Sequence, residues 1–191
     1  MPLHLDISAN ITPDAKLKLI MNQAADDHIS VNGNGDLNIK VVDDDVKLFG
    51  RYSIKRGSYN LSLQNLINKK FDVLEGSFVN FDGDPMSAKL DITARHIVSQ
   101  APLKDLSPEL TGNVQVNCLL RITNTLNDPI LSFELELPRA TEEERAILRS
   151  YTSTEEQRNL QFIYLLSTSR FYTQDISQNG QGAGERASPT G

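Results

Sequence analysis

The chain has 191 residues, 39% of them hydrophobic and 6% aromatic, with no tryptophan: enough for one domain with appendages, but lean for a compact core. Its formal charge is −6, with 25 acidic against 19 basic residues, and its basic clusters stop at the pairs Lys55-Arg56 and Lys69-Lys70, so nucleic acid is excluded as a partner. One cysteine, Cys118, excludes an intrachain disulfide and cannot form a zinc site alone.

Up to Pro138 the pattern is apolar-polar alternation, the mark of strands with one dry face. Leu3, Leu5, Ile7 and Ala9 alternate with polar neighbours. Leu37, Ile39 and Val41 follow, then Leu48, Tyr52 and Ile54, then Tyr59, Leu61 and Leu63. Later come Leu90, Ile92 and Ala94, then Val114, Val116, Cys118, Leu120 and Ile122, then Leu131, Phe133, Leu135 and Leu137. The alternation predicts about eight to eleven strands. Cys118 falls on the apolar side and is expected to be a buried, inert thiol.

Turn chemistry separates these runs. Asn32-Gly33-Asn34-Gly35, Asp43-Asp44-Asp45, Asp82-Gly83-Asp84-Pro85 and Asn127-Asp128-Pro129 are each expected to reverse the chain. Ile54-Lys55-Arg56-Gly57-Ser58-Tyr59 recurs 19 residues later as Val73-Leu74-Glu75-Gly76-Ser77-Phe78. A glycine inside a strand pattern marks a bulge or a sharp corner, and its repetition points to a stacked, solenoid-like sheet.

Beyond Pro138 the character changes. Thr141 with Glu144 forms a capping-box signature that opens a short helix through Arg149, and Ser153 with Glu156 forms a second. The second precedes Leu160, Ile163, Tyr164 and Phe171 at helical spacing. From Gln178 the chain is polar, with glycine and proline, and reads as a disordered tail. The expected organisation is therefore a β-sheet domain over 1–138, a helical segment over 139–176 and a tail over 177–191. No signal peptide opens the chain. The apolar run Phe162 to Leu166 is far short of the roughly 20 residues that a membrane helix needs.

Catalytic constellations are poor. His4, His28 and His96 are scattered singly and read as surface histidines. No nucleophile elbow, phosphate-binding glycine loop or paired-histidine metal motif occurs. Asp43-Asp44-Asp45 and Asp82-Gly83-Asp84 lack the remaining spaced ligands of a calcium loop and read as solvated turns. The chain is expected not to be an enzyme and to need no metal or cofactor.

The central stretch is the most distinctive. Gly50-Arg51-Tyr52-Ser53-Ile54, Gly57-Ser58-Tyr59, Phe71 and Val73, Glu75-Gly76-Ser77-Phe78, Asn80-Phe81-Asp82-Gly83-Asp84-Pro85 and Leu90-Asp91-Ile92-Thr93-Ala94 follow in order. In combination they resemble the C-terminal domain of the TamB (translocation and assembly module) family, in a form like those of Bacteroidetes. The flanks extend the likeness over about residues 1 to 175, including the step at Pro138-Arg139-Ala140-Thr141 into acidic helices. The chain departs from the family in ending on a polar tail where members usually run on into further strands. That departure puts docking through those last strands in doubt.

The resemblance implies a fold and a role. The fold is an elongated, curled β-sheet, the β-taco or solenoid-like trough, with a short C-terminal helical segment. The role is that of a periplasmic part of an inner-membrane-anchored protein that spans the envelope, partners a TamA-like outer-membrane barrel, and carries phospholipid along an apolar groove. Targeting and anchoring signals would then lie outside this sequence.

Acyl chains need no specific hydrogen bonds to lie in such a trough, since each buried CH₂ contributes about 0.8 kcal/mol. Its candidate lining is Leu37, Ile39, Val41, Leu48, Ile54, Leu61, Leu63, Leu90, Ile92, Val114, Val116, Leu120, Phe133 and Leu135. The same residues would serve equally as the core of a closed sandwich; alternation alone favours the sandwich and the resemblance favours the trough. Leu160, Ile163, Tyr164 and Phe171 are candidates for a helical plug at one end of the trough, with a membrane or partner contact as the other use of that helix. The alternative function is a protein-interaction module that assists outer-membrane protein assembly by adding a strand at an open sheet edge.

Overall fold

A computed structural model of the chain describes residues 3–22, 27–63 and 67–173. They form a mostly β protein, a nine-stranded antiparallel sheet followed by two α-helices. The strands are β1 (His4–Ile11), β2 (Lys16–Asn22), β3 (Asp27–Val42), β4 (Asp45–Leu63), β5 (Ile67–Val73), β6 (Phe78–Gly83), β7 (Lys89–Pro102), β8 (Asn113–Thr125) and β9 (Asp128–Glu136). The helices are α1 (Glu142–Ser150) and α2 (Glu155–Thr168). The sheet order is β1-β3-β4-β5-β7-β8-β9, with β2 pairing β3 and β6 pairing both β4 and β7. Long strands are thus flanked by broken ones. Gly35–Val42 of β3 faces β1 and the other half faces β2, while β4 is divided in the same way between β6 and β5.

The acidic turn Asp43-Asp44 joins β3 to β4 as expected, with Asp43 in the left-handed region at φ 57°. Asp82-Gly83-Asp84-Pro85 also reverses the chain, and the Asp84 carboxylate accepts from the Met86 N–H at 3.0 Å. Asn32-Gly33-Asn34-Gly35 does not. It lies inside β3, which runs on through it, and the reason for its glycines is close approach. A Cβ on Gly33 would collide with the Ser53 carbonyl oxygen of β4. The register slips beside it, between Asn32 and Gly33, so that β4 carries one extra residue at Lys55.

That bulge corrects a second expectation. The runs ending at Ile54 and beginning at Tyr59 are one 19-residue strand. The extra residue moves the inward positions of β4 from even to odd numbers, so the alternation changes phase without a chain reversal. The Gly-Ser echo sits next to it. Ile54 N–H donates to the Ser77 carbonyl at 2.8 Å, and Gly76, at φ +99°, turns the corner between β5 and β6. The two copies are neighbours at one level of the sheet rather than identical corners.

The chain divides into two compact units, Met1–His96 with Leu119–Ser132, and Ile97–Cys118 with Phe133–Gly191. Strands β7, β8 and β9 contribute residues to both. In the second unit Val98, Leu103, Leu106, Val114, Val116 and Cys118 are buried with Leu148 of α1 and with Phe162, Leu165 and Leu166 of α2. The Phe133 and Phe162 rings stack at 4.2 Å. Burial pushes the Cys118 thiol up to about 12.

Both helices begin on complete capping boxes. Thr141 and Glu144 form the first, as expected. The second uses Thr154 and Gln157, one residue beyond the expected pair, and Ser153 bonds the same Gln157 carbonyl. The expected tail over 177–191 lies outside the described residues.

Candidate apolar surface

In the first unit the strand register lines up apolar side chains in rows across one face, because directly paired residues project to the same side. The rows are Leu5–Val41–Val46, then Ile7–Ile39–Leu48, then Ala9–Leu37 beside Gly50–Phe81, then Ile11–Gly35–Tyr52–Val79–Leu90. Past the bulge come Leu17–Val31–Gly57–Val73–Ala94 and Leu19–Ile29–Tyr59–Phe71.

Burial changes along this face. Val31, Ile29, Phe71 and Val79 have no exposed surface, and Leu37 retains 6%. Leu5, Ile7 and Val46 are 44%, 45% and 41% exposed, and Leu3 is 54% exposed. Ile39, Val41 and Leu48 are half-buried. The face is apolar throughout, covered at one end and open at the other. Contiguous exposed apolar side chains on a soluble surface mark a place where something binds.

The opposite face is polar. Asn10 donates to Asp36 at 2.6 Å and Asn38 to Asp6 at 2.7 Å. Arg51 donates to Asn80 at 3.0 Å and lies 4.0 Å over the Phe78 ring. The two sides of the sheet are therefore chemically distinct, with β1 exposing apolar side chains on one of them.

The predicted lining residues divide by place. Leu37, Ile54, Leu61, Leu90, Ile92 and Leu120 are buried in the first unit, where Ile39, Val41, Leu48 and Leu63 are half-buried. Val114 and Val116 are buried in the second unit, and Phe133 and Leu135 are half-buried there. On α2, Leu160 and Ile163 face outward at 42% and 38% exposed, Tyr164 is half-buried, and Phe171 beyond the helix is buried. The inward face of α2 is made by Gln161, Phe162, Leu165 and Leu166.

Leu3, Leu5 and Ile7, exposed residues that the lining reading omits, form the outer end of the apolar face together with Val46. Their alternation was visible in the sequence, but alternation marks a side and says nothing about what covers it. Tyr52 is a second omission. It is wholly buried and its hydroxyl has no hydrogen-bond partner among the described residues, a condition that costs roughly 1–3 kcal/mol. Burial raises its pKa.

Among the described residues no group of three or more His, Cys, Asp or Glu could hold a metal ion, and no helix is long and apolar enough to cross a membrane. The family model described as the TamB C-terminal domain matches residues 1–190. No curated protein and no solved structure matches the chain significantly.

Proposed function

The chain belongs to the TamB C-terminal domain family, a family of cell-envelope proteins, and from that premise we propose that it is a non-catalytic, acyl-chain-binding segment of a periplasm-spanning protein. In this reading the sheet curls into a trough, and phospholipid chains pass along its apolar face towards the outer membrane. One observation carries it: the apolar rows of the first unit continue from a fully buried end to the exposed end at Leu5, Ile7 and Val46. Each CH₂ of an acyl chain laid on that end would contribute about 0.8 kcal/mol.

The test uses positions already exposed, where a charge does little to stability. Leu5→Asp with Ile7→Asp is expected to lower binding of a fluorescent fatty acid at least tenfold while the unfolding midpoint stays within about a degree. Undiminished binding in the folded double variant would contradict the trough.

A second reading, assistance of outer-membrane protein assembly with a TamA-like barrel, is favoured by β1 itself. Among the described strands β1 pairs only with β3. The Asp43 N–H donates to the Leu3 carbonyl at 2.8 Å, so the odd residues of β1 bond to β3. The backbone groups of His4, Asp6, Ser8 and Asn10 are left towards the open edge, ready for an added strand. A photo-crosslinker at Ser8 is expected to capture a barrel strand in cells; its failure to do so in an otherwise active protein counts against this reading.

A further inference from the structure

We propose that the Tyr52 hydroxyl is the polar handle of the acyl site, donating a hydrogen bond to the carbonyl oxygen at the head of a bound chain. This rests on the acyl-binding reading above and adds to it the part of the ligand that is recognised.

Two phenols occupy the same face of the same strand, and they differ. Tyr59 is buried, but Asp27 hydrogen-bonds its hydroxyl. Tyr52 is equally buried and its hydroxyl has no partner among the described residues. Its neighbours explain why: Gly35, Val79, Ile11 and Leu90 in its own row and Leu37, Gly50 and Phe81 in the next offer no polar side chain, and on the other side the Ser77 hydroxyl beside Ile54 is engaged by the Thr93 backbone. The ring lies against Gly35, with its Cδ2 3.4 Å from where a Cβ on that glycine would stand. A phenylalanine would fill the same space without a stranded donor, so packing alone does not account for the hydroxyl.

Position matches chemistry. The Tyr52 row lies two rows in from Ile7–Ile39–Leu48, where the face opens. A chain entering from the open end brings methylenes to the aliphatic rows and, by displacing the buried Leu37 and Phe81 side chains of the intervening row, sets its one polar group at a donor left unsatisfied among the described residues. The shared ligand chemistry is a carbonyl oxygen on an alkyl chain, from a glycerolipid ester or from a free fatty acid.

The experiment compares wild type with Tyr52→Phe for binding of decane, methyl decanoate and decanoate. The variant is expected to bind decane as wild type does and to lose about tenfold in affinity for an oxygen-bearing ligand. Its unfolding midpoint should equal or exceed that of wild type. A loss confined to the ester assigns the handle to glycerolipid chains, and a loss confined to the carboxylate assigns it to fatty acids. Infrared spectra of carbonyl-labelled methyl decanoate or decanoate on wild type alone give a second readout: at least one carbonyl band moves to lower wavenumber than it has in alkane solvent. Equal affinities of both proteins for both oxygen-bearing ligands, or bands unshifted from those in alkane, would overturn the role of Tyr52 while leaving the trough standing. Failure of wild type to bind any of the three ligands would remove both.

Discussion

At the level of single residues the second unit contains a long-range charged contact that no sequence pattern announced. Asp105, whose side chain is 3% exposed, accepts two hydrogen bonds from Arg170, at 2.9 Å from Nε and 2.6 Å from Nη2. They lie 65 positions apart, in the β7–β8 connection and just beyond α2. Arg170 is half-exposed, so solvent screens the pair from outside, yet losing the guanidinium would strand a buried carboxylate. Arg170→Ala is expected to cost about 2 kcal/mol in denaturant unfolding, and Arg170→Lys to recover only part of it, because an ammonium cannot make the bidentate contact. A cost under about 0.5 kcal/mol would mean that the pair contributes little. Nearby, the Tyr151 hydroxyl donates to the Leu106 carbonyl at 3.1 Å, a second tie between the helical region and the same connection. Ion pairs of this kind depend on three-dimensional proximity, and neither Asp105 nor Arg170 carries any local signal of its partner.

Among the elements, those with strong local rules were legible and those set by neighbouring strands were not. The capping box at Thr141 could be read because its two partners are three residues apart. The second box was displaced by one residue because Ser153, Thr154, Glu156 and Gln157 offer two overlapping solutions, and the structure takes Thr154 with Gln157. Asn32-Gly33-Asn34-Gly35 misled for a clearer reason. The same residue types serve a tight turn and a strand whose neighbour's backbone comes unusually close, and only the pairing partner distinguishes the two. Gly33→Ala separates them experimentally. In a solvated turn with negative φ it would change stability by under about 1 kcal/mol. Against the Ser53 carbonyl it is expected to cost more than about 2 kcal/mol, read from the urea midpoint.

Taken as a whole molecule, the chain shows how far alternation carries an argument. It marked the apolar side of β1, the second half of β3, β4, β7, β8 and β9, from Leu5 and Ile7 to Phe133 and Leu135, but not that of β2, β5 or β6, and the resemblance built on the central glycine-aromatic segments agrees with the family match over residues 1–190. Coverage was not legible. Ile92 and Val116 are fully buried while Ile7 is 45% exposed, although all three sit in equally regular alternation. Coverage is a property of packing between distant segments, and a two-residue period does not encode it. The distinction matters for experiment, because a charge at Ile92 or Val116 would be buried without a partner and would unfold the protein, whereas a charge at Leu5 or Ile7 would stay in solvent.

The central claim is that the apolar face holds acyl chains, and native mass spectrometry of the protein purified without detergent tests it most directly. The account predicts a bound species heavier than the bare chain by the mass of a phospholipid or fatty acid, near one per protein, and its loss in the Leu5→Asp, Ile7→Asp variant. A protein that remains bare after incubation with phospholipid vesicles would contradict the account and leave the open edge of β1 as the working surface.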